Sequence, residues 1–282
     1  MNVLVIDVGG THVKVLATGQ KEHREFVSGP KLTAAMMAAG VRKLANGWNY
    51  GAVSIGYPGP VCHNRPIAEP YNLGMGWVAF DYRSAFKRPV KVINDAAMQA
   101  LGSYKTGRML FLGLGTGLGS AMIVGGILEP MELGHLPYKQ ATYEDNVGIR
   151  GLEKYGQEKW QTFVADVVKR LIAALEPDDV VLGGGNVYRL TVLPPGCRAG
   201  GNNNAFLGGF RLWSKASARQ LPSHARPHLD QREVTKAVVR NEVQNHKYET
   251  NRQTIHATPG LEDPRHTLQE YPEHPPSGIV CG

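Results

Sequence analysis

Two short stretches constrain this chain more than anything else in it. Ile6–Leu16 reads IDVGGTHVKVL, and Leu112–Val124 reads LGLGTGLGSAMIV. Each is a β-prone run, a glycine-rich turn and a second β-prone run. Glycines at such a turn leave backbone N–H groups bare of any Cβ, so phosphate oxygens can approach them. Alternate glycines inside a strand weaken it unless backbone must come close to a ligand. The two stretches lie about a hundred residues apart. A unit that recurs in this way implies two related lobes facing a shared cleft.

The residues between them alternate strand and helix. Asn2–Asp7 and His12–Ala17 read as strands. Lys31–Leu44 reads as a helix, with Met36, Met37, Val41 and Leu44 roughly on one side. Val53–Ile55 is a short strand before a Gly/Pro loop, and Val90–Ile93 another that leads into an Ala-rich helix from Asp95. Met109–Leu114 and Ser120–Val124 form a strand pair. Gln157–Leu175 is the clearest helix, because Trp160, Phe163, Val164, Val167, Val168, Leu171, Ile172 and Leu175 follow the i, i+3, i+4 spacing. Asp179–Leu182 is a strand ending in three glycines, and Asn203–Trp213 a last helix. This alternation predicts an α/β fold.

A chain of 282 residues suggests one or two domains. From Ser214 onward the composition changes. Val, Ile, Leu, Met and Phe make up 11 of those 69 residues, and 7 of the 18 prolines fall there. That apolar share is below the roughly 20% of packed chains. Residues 214–282 are therefore expected to be a mostly disordered tail, with one weak helical stretch at Asp230–Asn245. The tail reads either as foreign to the domain or as a regulatory extension. Three cysteines exclude a disulfide framework and a four-cysteine zinc site. No apolar run reaches the roughly 20 residues of a membrane span, and MNVLVID has no basic leader. A cytoplasmic protein with no membrane partner is expected. Of the net charge of +7, +6 belongs to the first 213 residues. That excess suits an anionic ligand. It lacks the clustered Lys/Arg and interleaved aromatics of a nucleic-acid surface, so no nucleic-acid partner is expected.

Five motifs could carry chemistry. In Asp7-Val8-Gly9-Gly10-Thr11, Gly9 and Gly10 could cradle phosphate, Thr11 could add a hydroxyl and Lys14 a charge, while Asp7 could hold Mg²⁺ or its water shell; a plain hairpin turn is the alternative. The stretch Gly113–Gly119, with Gly115, Thr116 and Gly117 at its centre, contains a GxGxxG-like string. Strand follows it instead of helix, so a second phosphate hairpin is favoured over a dinucleotide loop. Asn94-Asp95 stands where a strand gives way to a helix. Asp95 is either an N-cap or a general base for a sugar hydroxyl. Glu132-Leu133-Gly134-His135 could hold one polyol between two side chains, or contain a structural histidine. Val180–Asn186, with Gly184 and Gly185, offers a flat surface for a base, or a flexible turn.

Taken together these segments resemble the ROK family of sugar kinases and repressors, within the actin-like, ribonuclease H-like ATPase fold. The resemblance covers Met1 to Trp213 and is nearest to the zinc-free, polyphosphate-glucokinase-like branch. DVGGTHVK looks like the first phosphate motif, LGLGTGLGSA the second and VVLGGGN the nucleotide-side motif. VSIGYPGPV resembles a sugar-domain loop and NLGMGW the sugar-contacting loop beginning at Asn72. INDAAMQALG matches the segment of the catalytic aspartate, here Asp95, beside a sugar-binding Asn94. ELGHLPY implies sugar contacts from Glu132 and His135, and Glu153 matches the last sugar-binding glutamate. The cysteine-rich zinc segment is replaced by YEDNVGIRGLEKYG, so zinc is not expected. No helix-turn-helix stands before Met1, which argues against the DNA-binding branch.

The resemblance implies an N-terminal lobe at 1–106, a C-terminal lobe at 107–213 and an unmatched tail. It also implies Mg²⁺ and ATP or polyphosphate as phosphoryl donor, and leaves the oligomer open, a homodimer being one option. The expected activity is phosphoryl transfer to a hexose such as glucose, giving the 6-phosphate. The competing reading is a non-catalytic sugar sensor with the same sugar site.

Overall fold

Val3–Val8 (β1) is buried almost throughout, which puts it at the centre of a sheet. The computed structural model describes residues 1–201 and 203–214, all within one compact unit of the chain. The expected tail and its helical stretch at 230–245 lie outside the described residues. Strand β1 turns at Gly9-Gly10 into His12–Ala17 (β2), followed by Arg24–Val27 (β3), helix Ala34–Leu44 (α1) and Ala52–Tyr57 (β4). A small hairpin, Val61–Cys62 (β5) with Arg65–Pro66 (β6), precedes Tyr82–Phe86 (α2), Val90–Asn94 (β7) and Asp95–Ser103 (α3). The second half runs Arg108–Leu114 (β8), Leu118–Val124 (β9), Ile127–Met131 (β10), the short pair Pro137–Tyr138 (β11) and Ala141–Thr142 (β12), then Tyr143–Val147 (α4) and Ile149–Leu175 (α5). It ends with Asp179–Gly183 (β13), Cys197–Ala199 (β14) and Asn204–Arg211 (α6).

The two large sheets have the same plan. Their orders are β3-β2-β1-β4-β7 and β10-β9-β8-β13-β14. In each, a central strand pairs antiparallel with the hairpin strand after it and parallel with the strand on its other side. The duplication visible in the two glycine motifs thus extends to the whole sheet. One outer face of the first sheet packs Leu4, Ile6, Val13 and Val15 against Met37 and Val41 of α1. The second sheet buries Leu110, Leu112 and Leu182 under Trp160, Val164, Val167 and Leu171 of α5.

Helices α3 and α6 form the layer between the sheets. Ala96, Ala97 and Ala100 of α3 pack on Met109, Phe111 and Ala121 of the second sheet. Ala205 and Phe206 of α6 pack on Val3, Val5 and Ala52 of the first. So α6, assigned from sequence to the second lobe, lies against the first sheet. The two helices cross at glycine: a Cβ on Gly102 would fall on the Asn204 carbonyl oxygen, and one on Gly208 on that of Met98.

Three element boundaries differ from expectation. Helix α1 begins at Ala34, because the Thr33 hydroxyl caps it by accepting the Met36 N–H at 3.2 Å. Met36 is then exposed, while Met37 and Val41 are buried. Helix α5 begins eight residues earlier than the apolar spacing indicates, at Ile149, and is broken at Gly156, whose φ is 74°. The first residue of α3 is Asp95, but its cap is Asn94, whose side chain accepts the Ala97 N–H at 3.0 Å. No described helix is long and apolar enough to cross a membrane.

Candidate active site

The two glycine hairpins end in turns with open backbone. At the first, Gly9 N–H bonds His12 O at 3.0 Å and the Ser28 hydroxyl donates to Gly9 O at 2.6 Å. Gly10 is uncrowded: a Cβ there would lie 3.9 Å from Asn72 Cβ and 3.9 Å from Thr116 Oγ1. That point joins three segments, namely the first hairpin, the Asn72 loop and the second hairpin. Thr11 tops the first turn and is exposed. Asp7 and Lys14 face each other in the β1–β2 register. At the second hairpin, Gly115 has open space around it. Its carbonyl accepts the Asn186 amide N–H at 3.0 Å and the Ile149 N–H at 3.1 Å. The turn is thereby tied both to α5 and to the glycines after β13.

The individual glycines are not equivalent. Gly184 has φ 83° and a Cβ on it would strike the Leu114 backbone, so that glycine is needed for packing. Gly185 has nothing near it and is the open member of the pair. A Cβ on Gly117 would collide with Glu144 Oε2; the bare Cα there makes room for a carboxylate.

Asp95 stands at the end of β7 and the start of α3. Its Oδ1 accepts the Ala96 N–H at 2.7 Å. No donor from another described residue reaches Oδ2. The Asp95 carboxyl is half-buried, and burial pushes it up to about 7, with repulsion from Asp7 and Glu132 adding to the effect. Burial likewise pushes Asp7 up to about 6, while the Lys14 ammonium pulls against it. Three carboxylates from three segments therefore share one field. A carboxylate with an open oxygen and a pKa near neutrality is suited to accept a hydroxyl proton. Asn94 next to it has its Oδ1 on the helix cap and its Nδ2 on Gly59 O at 3.2 Å. One amide hydrogen remains for a ligand.

Glu132 and His135 flank a short 3₁₀ turn that the buried Ser120 fixes by donating to Met131 O at 2.8 Å and accepting the Leu133 N–H at 3.0 Å. His135 Nε2 is 3.8 Å from Glu132 Oε2, and its Nδ1 is 3.9 Å from Glu144 Oε1. Burial raises the Glu132 carboxyl, His135 lowers it and Glu144 raises it. Glu153 is different: it is exposed on α5 and takes no part in the ion pairs around His135. The carboxylate beside His135 is Glu144, which also lies 3.6 Å from Arg150. Sequence reasoning missed Glu144. The signal was present in Thr142-x-x-Asp145, a capping box that starts α4 and puts Glu144 in its first turn. Asp7 is the hard oxygen donor at the phosphate turn. Mg²⁺ is held elsewhere by one or two carboxylates plus substrate phosphates, so that residue fits a phosphate-bound Mg²⁺. Among the described residues no cluster of three His, Cys, Asp or Glu side chains could hold a metal ion by itself.

Known proteins share this arrangement. The sequence profile described as the ROK family matches residues 3–151, just over half of the chain. A polyphosphate glucokinase of Mycobacterium tuberculosis (strain CDC 1551 / Oshkosh) is 28% identical over 202 residues, covering 64% of this chain and 76% of that protein. The inorganic polyphosphate/ATP-glucomannokinase of Arthrobacter sp. strain KM superposes with a TM-score of 0.66 at 22% identity, over 77% of this chain and 99% of that one. A ROK family glucokinase from Streptomyces griseus, in complex with glucose and AMPPNP, gives a TM-score of 0.64 at 16% identity, over 75% of this chain and 99% of that one. The structural likeness is one of fold, the two-lobed actin-like α/β architecture. With matching motifs from the first strand to the start of α5, the chain belongs to the ROK family.

Proposed function

We propose that this sugar phosphotransferase moves the terminal phosphoryl group of polyphosphate or ATP to the 6-hydroxyl of a hexose, glucose being the first candidate. The observation that carries the reading is Asp95: a half-buried carboxylate with one open oxygen, beside Asn94 and facing two glycine hairpins. Asp95 Oδ2 takes the proton as the sugar oxygen attacks phosphorus. The new P–O bond forms while the bond to the rest of the donor breaks, and the shortened donor leaves with the electron pair. Glu132, His135 and the remaining Asn94 N–H hold sugar hydroxyls, and Glu144 steadies His135. Glu153 is a sugar ligand only by its match to the family motif. Gly9, Gly10, Thr11, Lys14, Gly115, Thr116 and Gly117 bind donor phosphates, and Gly185 leaves room for a base beyond Gly184. Mg²⁺, when bound at Asp7, would neutralise charge on the phosphates. Support for polyphosphate comes from the Mycobacterium tuberculosis relative and from the excess of +6 in the first 213 residues.

The test is sugar-phosphate formation by the full chain with glucose, Mg²⁺ and each donor in turn. Turnover with at least one donor is expected, undiminished by a zinc-selective chelator. Glucose-dependent stabilisation without turnover on either donor would favour a sensor and overturn the reading.

A pH series gives a second check. The base form of Asp95 is the minor species below its pKa of about 7, so kcat/KM should climb through pH 6–8 and level off above. Stability should run the other way. With the native Asp7 and Asp95 pKa values at about 6 and about 7 against the ordinary 3.8, the folded state retains protons that the unfolded chain has lost. Rising pH between about 4 and 7 therefore lowers the melting temperature contribution of these groups. A flat kcat/KM across pH 6–8 would remove Asp95 as the base.

A further inference from the structure

The loop that carries Asn72 is closed at its base by one side chain. Both oxygens of Glu69 accept the Trp77 backbone N–H, at 3.2 Å and 3.0 Å, and Oε1 also accepts the Val78 N–H at 3.2 Å. Hydrogen bonds to an ionised acceptor are about twice as strong as neutral ones. The fully buried Trp77 donates its indole N–H back to Gly74 O at 2.7 Å, and the Tyr82 hydroxyl donates to Trp77 O at 3.1 Å. Gly74 N–H bonds Leu32 O at 3.0 Å, and a Cβ on Gly74 would sit 3.1 Å from that carbonyl. The far side of the loop therefore rests directly on the segment before α1.

The tip is held in a different way. Tyr71 is 89% exposed and Met75 68% exposed, so no apolar packing fixes their place. Asn72 between them is also exposed, and its amide has no hydrogen-bond partner among the described residues. Yet Asn72 Cβ lies beside Gly10, at the same 3.9 Å as Thr116 Oγ1 from the other hairpin. A free amide stands where the two phosphate turns meet, and the polar clamp at the loop base is what puts it there.

We propose that Asn72 donates its side-chain N–H to the phosphoryl group in transit between the hairpins, and that Glu69 is the positioning residue that holds Asn72 at that point. Asn72 makes and breaks no covalent bond. Its dipole meets charge on the equatorial oxygens, where a preorganised donor acts most strongly in the transition state. This role differs from the sugar contact that the family resemblance implies for Asn72, and it rests on the kinase reading above.

The experiment is a double-mutant cycle on the full chain with Asn72→Ala, Glu69→Gln and the pair. Glu69→Gln keeps the size of the side chain but turns one acceptor into an N–H that opposes the backbone donors. Asn72→Ala should lower kcat about 100-fold, as for loss of one transition-state donor, with the sugar KM little changed. Glu69→Gln should lower kcat about tenfold in the same pattern, and the double variant should fall no further than Asn72→Ala, because coupled residues are non-additive. Glu69→Asp, which retains both oxygens, should recover part of the loss. Independent, additive losses would overturn the positioning role, and a change confined to sugar KM would overturn the phosphate role. If Glu69→Gln does not melt cooperatively, the cycle is read with Glu69→Asp, where additivity again overturns it.

A second readout separates this proposal from the kinase reading: the shift in melting temperature produced by Mg²⁺ and tripolyphosphate. If the unmodified chain shifts but turns over no sugar, and both variants lose the shift, the phosphate role stands and the kinase reading falls. If both variants keep wild-type kcat and shift, the kinase reading stands and the proposal falls. If the unmodified chain neither shifts nor turns over, both fall.

Discussion

Asp95→Asn should abolish most phosphoryl transfer, lowering kcat by about 10²–10⁴, the usual contribution of a positioned base. The substitution is nearly isosteric. An amide oxygen can still accept the Ala96 N–H that Oδ1 accepts now, and the Asn94 cap of α3 is untouched. What disappears is the oxygen free to take a proton. The folded protein should be as stable as before or more so at pH 8, since burial and the repulsion of Asp7 and Glu132 already disfavour the charged form of Asp95. A variant that melts at or above the wild-type temperature yet turns over about a thousandfold more slowly would place Asp95 in the chemistry. Turnover near wild-type, measured with both donors, would remove it.

Gly208→Ala should be the most damaging single methyl in the fold. Helix propensity alone favours alanine over glycine by about 1 kcal/mol, so an isolated α6 would gain. Its Cβ, however, would fall on the Met98 carbonyl oxygen, and the Gly102 N–H lies 2.9 Å from the same point. These are backbone atoms of α3 that cannot swing aside as a side chain can. The helices must part, and the cost should reach about 3 kcal/mol, the upper range for overpacking. Because α3 begins at Asp95, separating α3 from α6 also shifts the base, and kcat should drop together with stability. Leu207→Ala, on the exposed side of α6, should change the melt little. Equal melts for Gly208→Ala and wild type would mean the crossing is looser than its geometry.

Much of this was legible in the chain itself, for a local reason. The hairpins at Gly9–Gly10 and Gly115–Gly117 are encoded by glycine between alternating apolar runs, and both are found where the residues put them. The helix body from Trp160 to Leu171 follows its apolar stripe. The early start of α5 was hidden because Gly151 and Gly156 weaken helix propensity. Leu152, buried with Trp160 in the second core, outweighs them. Glu153 was matched by its neighbours in sequence, while Glu144 is the residue that reaches His135. Asn72 was placed with the sugar by its motif and stands beside Gly10 and Thr116 in space.

By itself, the sequence determined the α/β class, the two glycine hairpins, the strand-to-helix junction at Asp95 and the repeat that relates the two halves. All of these depend on residues within a few positions of one another, through backbone freedom, period and capping. Only the tertiary structure decided which carboxylates share a field, which glycines serve packing and which stay open, and that α6 returns to the first sheet. Asp7, Asp95 and Glu132 come from three separate elements. The α3–α6 contact joins Gly102 to Asn204 and Met98 to Gly208 across about a hundred residues. No local preference encodes such a meeting, because it exists only once the buried faces of both sheets have closed on the helices between them.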